Sequence, residues 1–149
     1  LKLPLYLVDT NIISASTPVR RAAPASLVQW MDRNSDRLYL SVITIAEIED
    51  GIAKARRMGA VKKAALLAEW LELLLHLYTG RILTLDVTAA RIAGALSDLA
   101  RGMGLAPGFQ DWAIAAIAQA HGLTVLTRNV KHFVPLGVAV SDPFAAIPV

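Results

Sequence analysis

The chain has 149 residues, 55% hydrophobic and 18% charged, which favours one domain over 1–149 and excludes a disordered protein. With no cysteine, it can hold no disulfide, thiolate zinc site, iron–sulfur cluster or cysteine nucleophile, and three histidines leave little for a histidine-rich metal site. Fifteen basic against twelve acidic residues give +3, a balance compatible with a polyanionic partner.

Short apolar runs alternate with longer helical patterns, the mark of an α/β domain with a parallel sheet. Tyr6-Leu7-Val8 reads as a buried strand ending at Asp9. Pro18 and Pro24 mark turns, and Leu27, Trp30 and Met31 recur at helical spacing. A second strand is expected over Leu38–Ile43. Thr44-Ile45-Ala46-Glu47 then reads as a capping box that starts a helix reaching about Met58, with Gly59 as its stop. Another helix, about Ala60 to Tyr78, carries a wide apolar stripe, so about 44–79 forms a helical hairpin. The stripe is broader than one core needs. Trp70, or its neighbours Leu66, Leu67, Leu73 and Leu74, is therefore expected to meet a partner.

Ile82–Leu85 is the third expected strand, and Asp86 can cap a helix running to about Arg101. A loop holding Gly102, Gly104, Pro107 and Gly108 leads to a helix beginning near Asp111 and stopping at Gly122. Leu123–Leu126 is a fourth strand, followed by Thr127-Arg128-Asn129, and Val138–Val140 is a short last one. Mean hydropathy is high, at +0.49. The longest largely apolar run, Leu38–Ala46, has nine residues, whereas a membrane span needs about 20, so no membrane association is expected. Leu1–Val8 is too short for a secretory signal, and a cytoplasmic location is expected.

In an open α/β sheet, ligands bind beyond the carboxyl ends of the strands. Asp9, Glu47 and Asp111 each follow a strand or open a helix, and a parallel sheet would carry all three to one edge with Thr127 and Asn129. Clustered carboxylates repel, and a hard divalent cation with oxygen ligands, Mg²⁺ or Mn²⁺, relieves that repulsion. Such an ion can activate water against a phosphodiester. Each acid also has a purely local reading. Asp9-Thr10-Asn11 suits a strand-to-helix turn, Glu47 a capping box, and Asp111 the positive end of a helix dipole.

Taken in order, the motifs decide between these readings. Asp9-Thr10-Asn11, then Ser41-x-x-Thr44-x-x-Glu47 with Gly51 four residues on, resembles the first half of a PIN-domain ribonuclease. Asp111-x-x-Ile114-Ala115-Ala116, Ala118-x-x-His121-Gly122-Leu123 and Thr127-Arg128-Asn129-x-x-x-Phe133 follow. Asp142-Pro143-Phe144 stands near the end, where the family often has an Asn-Pro-Trp-like sequence. The whole, from Tyr6 to Phe144, is similar to a VapC-type toxin of a bacterial type II toxin–antitoxin pair, close to the FitB-like branch.

The resemblance implies a PIN-like three-layer fold: a central, mostly parallel sheet flanked by helices. It implies a metal-dependent endoribonuclease, with Asp9, Glu47 and Asp111 binding Mg²⁺ or Mn²⁺. Asn11 would brace the first acid, Ser41 or Thr44 would shape the pocket, and Thr127 and Asn129 would line its far side. Arg128, Lys131 and His132 are candidate RNA contacts. The implied partners are an RNA substrate, a VapB-like antitoxin and a second copy of the chain, with operator DNA reached only through the antitoxin. Asn129 departs from the many relatives that carry a fourth acid there. An amide offers an oxygen without a charge, which weighs against a second metal. The alternative is a PIN-fold binding module with little turnover that joins an antitoxin in a DNA-binding complex. A dehalogenase-like phosphatase is disfavoured because Asn11 stands where that chemistry needs a second aspartate.

Overall fold

Tyr6–Val8 forms β1, the middle strand of a five-stranded sheet in a computed structural model that describes residues 2–149. Leu38–Ser41 is β2, Ile82–Leu83 β3, Thr124–Leu126 β4 and Val140–Ser141 β5. The order across the sheet is β3-β2-β1-β4-β5, and every pairing is parallel. The register sets Tyr6 against Leu38 and Thr124, and Val8 against Leu126. All five strands therefore end at the same edge, which collects whatever residue follows each one.

Helices cover both faces. Thr10–Ile13 is α1, Ala25–Arg33 α2, Val42–Arg57 α3 and Val61–Leu77 α4. Val87–Gly102 is α5, Phe109–His121 α6 and Val130–Phe133 α7. Successive strand residues point to opposite faces, so Tyr6 and Val8 join one core while Leu7 joins the other. The first core packs Leu38, Leu40 and Leu126 against Trp30, Ile48, Ile52 and Leu71 of α2, α3 and α4. The second packs Leu7 and Val125 against the alanine-rich faces of α5 and α6, with Phe133 of α7. Leu7 has no exposed surface, as a central strand covered on both faces requires.

The expected three-layer arrangement and helical hairpin are present, with shifted boundaries. Helix α3 begins at Val42, not Thr44, and β2 stops at Ser41 instead of reaching Ile43. Ser41 has extended backbone (φ −107°, ψ 155°), and its hydroxyl accepts the Thr44 amide at 3.2 Å. Ser41 is thus the cap, and the capping box expected at Thr44 and Glu47 does not form. Thr44 is the third helical residue, fully buried, and Glu47 lies a turn further on. Both Ser-x-x-Thr and Thr-x-x-Glu satisfy a capping pattern; the pairing of Ser41 with Leu83 in β3 settles which is used.

Elsewhere, β3 is only two residues long, and α6 starts at Phe109, two residues before Asp111. Asp86 caps α5 as expected, accepting the Ala89 amide at 2.9 Å. Gly122 takes the left-handed conformation (φ 66°) that lets α6 stop, and Leu123 donates back to the Ala118 carbonyl. On α4, Leu74 belongs to the core, contrary to its expected place in a partner contact. Leu66 and Leu73 are exposed, and Leu67 and Trp70 are half-buried. Among the described residues no helix is long and apolar enough to cross a membrane.

If Ser41 is the cap, Ser41→Ala removes the partner of a buried amide and costs about 1 kcal/mol of stability. Urea unfolding followed by circular dichroism should show it as a lower midpoint with unchanged slope. An unchanged midpoint would move the cap elsewhere.

Candidate active site

Asp9 follows β1 directly. Its amide donates to the Leu126 carbonyl at 2.9 Å, continuing the ladder, and its side chain caps α1. Oδ1 accepts the Thr10 amide and Oδ2 the Thr127 hydroxyl, both at 2.8 Å. The residue is only 6% exposed. Burial pushes its carboxyl above the ordinary value, and the charge of Asp111 adds to that; the bonds from Thr127 and Thr10 and the nearby His132 oppose it without reversing it.

Glu47 projects from α3 toward the same place. Its Oε1 accepts the Thr10 hydroxyl at 3.0 Å. Burial is again the main reason its carboxyl is raised, with the charges of Asp9 and Asp111 pushing the same way against the Thr10 bond. Thr10 Oγ1 also lies 3.0 Å from Thr44 Oγ1, which is 3.4 Å from Ser41 Oγ. A hydroxyl carries one proton. With that of Thr10 given to Glu47, Thr44 donates to Thr10 and Ser41 to Thr44. Three hydroxyls then point in series toward the carboxylate.

Asp111 sits in the first turn of α6, whose cap residue Gly108 supplies no side chain. Its Oδ2 lies 3.1 Å from His132 Nδ1. Thr127 is fully buried. It holds Asp9 while accepting the Asn11 amide group at 3.3 Å and the Asn129 backbone amide at 3.0 Å. Asn11 thus braces the acid through Thr127, and its own Oδ1 accepts the Arg128 amide at 3.3 Å. Asn129 contributes its backbone to this network, while its side chain lies in an exposed residue.

The structure therefore gathers Asp9, Glu47 and Asp111 within reach of one another's charge, with Asn11, Ser41, Thr44 and Thr127 behind them. Arg128 and Lys131 are exposed beside them. The Arg128 guanidinium lies 4.1 Å from the centre of the Phe144 ring, and Lys131 lines a cavity of about 260 Å³ with Asp111 and His132. Two features escape a reading by residue type. Thr10, between two motif residues, is the link from Glu47 to the hydroxyl series, and its position at the start of α1 was the available signal. The contact of His132 with Asp111 spans 21 residues and has no local signature.

An all-oxygen donor set whose charges repel suits a hard cation. Among the described residues no three acids or histidines are close enough to grip an ion unaided. Such an ion would be held partly through water, the usual state of Mg²⁺.

Raised carboxyls bind their protons more tightly in the folded chain than in the unfolded one. The metal-free fold therefore loses stability as pH rises from the ordinary values, 3.8 for Asp9 and 4.5 for Glu47, through the raised ones. In chelator at pH 8, Glu47→Gln should melt a few degrees above the wild type, with a smaller gap at pH 5. Adding Mg²⁺ at pH 8 should raise the wild-type Tm more than that of the variant. Equal melting at both pH values would mean that neither burial nor the neighbouring charges raise the Glu47 carboxyl.

Residues 6–133 match the family model described as PIN domain. The chain is 40% identical over 144 residues to the plasmid stability protein StbB of Pseudomonas syringae pv. tomato, covering 95% of this chain and all of that one. It is 36% identical to toxin FitB of Neisseria gonorrhoeae, covering 94% and 99%. Against VapC ribonuclease Y4jK of Sinorhizobium fredii the identity is 34%, covering 94% and 98%. The crystal structure of FitAcB from Neisseria gonorrhoeae superposes with a TM-score of 0.81 at 37% identity, covering 94% of this chain and 99% of that one. A structure of FitAB bound to an IR36 DNA fragment gives 0.78 at 35%, covering 94% and 96%.

Proposed function

The chain belongs to the PIN-domain family, and from that premise we propose that it is a metal-dependent endoribonuclease, the toxin of a bacterial toxin–antitoxin pair. The observation that carries this reading is the meeting of Asp9, Glu47 and Asp111 at one sheet edge, where the charge of Asp111 bears on Asp9 and the charges of Asp9 and Asp111 bear on Glu47. Relatives named as a toxin and as a VapC ribonuclease support it along nearly the whole chain.

Asp9, Glu47 and Asp111 would hold Mg²⁺ or Mn²⁺. Bound there, the ion would supply an activated water and neutralise charge on the phosphodiester. The chain's own residues do the rest. Thr127 and the Thr10 amide fix both oxygens of Asp9. Thr10 fixes one oxygen of Glu47 and leaves the other for the site. Arg128 and Lys131 flank the edge and would meet backbone phosphates of the RNA. Water would add its oxygen to phosphorus and lose a proton to solvent, while the bond to the 3′ oxygen would break and that oxygen would take up a proton. The products are a 5′-phosphate and a 3′-hydroxyl. With an amide at position 129, the three acids match one divalent ion better than two.

The same reading gives the protein an antitoxin partner and a second copy of itself, with operator DNA reached through the antitoxin. A groove of about 400 Å³ between α2 and α4, lined by Val28, Met31, Trp70 and Leu73, suits an apolar segment of the antitoxin. Leu73, which lines this groove, is 52% exposed. Leu73→Asp should weaken antitoxin binding at least about tenfold in calorimetry and leave RNA cleavage by the free toxin unchanged. Unaltered binding would clear this face of the partner.

The decisive assay is cleavage of a long structured RNA by purified protein with Mg²⁺, with Mn²⁺ and with chelator, beside Asp111→Asn. Cleavage should require the metal and fall by about 10²-fold or more in the variant. Failure of folded wild-type protein to cut any of several RNAs would replace this reading with a binding module of little turnover.

A further inference from the structure

We propose that His132 is a positioning residue for Asp111: its Nδ1–H donates to Asp111 Oδ2 and so fixes which oxygen of that acid faces the site. The assignment rests on reading Asp9, Glu47 and Asp111 as the acids that hold the metal. Each of the three has one oxygen held by a side chain from another part of the fold. Thr127 holds Asp9, Thr10 holds Glu47, and His132 holds Asp111 at 3.1 Å. A carboxylate without such a partner turns freely about its last bond and presents either oxygen, so a bound ion must also order it.

The placement of His132 is not that of a loose surface side chain. It lies on α7, between Lys131 and Phe133, and Phe133 is fully buried in the second core. The backbone amide of His132 donates to the Asn129 carbonyl at 2.9 Å, which ties the turn to the network around Thr127. The imidazole is 43% exposed, and the Asp111 side chain it meets only 20%. Lys131 forms no ion pair among the described residues and remains available to a phosphate. The two neighbours therefore differ: Lys131 is exposed and unpaired among the described residues, while His132 meets the acid.

The test is Mn²⁺ binding by calorimetry, with kcat and KM for RNA cleavage, in the wild type, His132→Ala and His132→Asn. An asparagine amide nitrogen reaches about where Nδ1 stands and can donate to the same oxygen. His132→Ala should weaken Mn²⁺ binding roughly tenfold and lower kcat with little change in KM. His132→Asn should recover most of the Mn²⁺ affinity. Thermal melting of the metal-free proteins should be alike, since the side chain is not part of a core. Mn²⁺ affinity unchanged in His132→Ala overturns the assignment and leaves the nuclease reading standing. So does a rise in KM alone, equal in both variants, which would make His132 a phosphate contact. A wild type that binds no Mn²⁺ overturns the metal reading and this assignment together.

Discussion

Asp9 carries a carboxylate to a position where little of the residue reaches the surface. It ends the central strand, so its backbone continues the pairing of β1 with β4, and its side chain must also cap α1. A charge so placed is costly unless hydrogen bonds and an opposite charge compensate it. The Thr10 amide and the Thr127 hydroxyl supply the bonds, and the carboxyl is still raised. Under the proposed function, a bound cation would make up the deficit that remains. The rest of the site follows from that deficit, because Glu47 and Asp111 enlarge it where a strictly structural design would avoid them.

The polar groups around the acids come from segments far apart in the chain. Thr127 and Asp9 are separated by 118 residues, Thr10 and Glu47 by 37, and His132 and Asp111 by 21. The parallel sheet brings them together, since every strand delivers its following residue to one edge. Rigid supports stand behind them: the buried hydroxyls of Ser41 and Thr44, and the buried ring of Phe133. Positions fixed by packed elements suit a reaction that depends on charge placed before the substrate arrives.

Much of this was legible without coordinates. The run Tyr6-Leu7-Val8 with Asp9 at its end, the cap at Asp86 and the stop at Gly122 are local signals, and each formed where the residues indicated. The start of α3 is ambiguous in the sequence because Ser41 and Thr44 both satisfy a capping pattern. Their difference lies in whether residue 41 still pairs with β3, which no window around it contains. Leu74 and Leu73 look alike in sequence. Only the packing of α4 on the sheet and α3 buries one and leaves the other exposed.

The sequence by itself determined the secondary structure pattern, the parallel α/β class, Asp9 at the end of its strand and Asp111 in the first turn of its helix, since these depend on near neighbours and on alternating polarity. Tertiary structure decided which groups serve those acids. Thr10 turns its hydroxyl to Glu47, Asn11 reaches the first acid only through Thr127, and His132 closes on Asp111. Hydrogen bonds between side chains depend on distances of a few tenths of an ångström set by the whole fold, and no spacing along the chain encodes them.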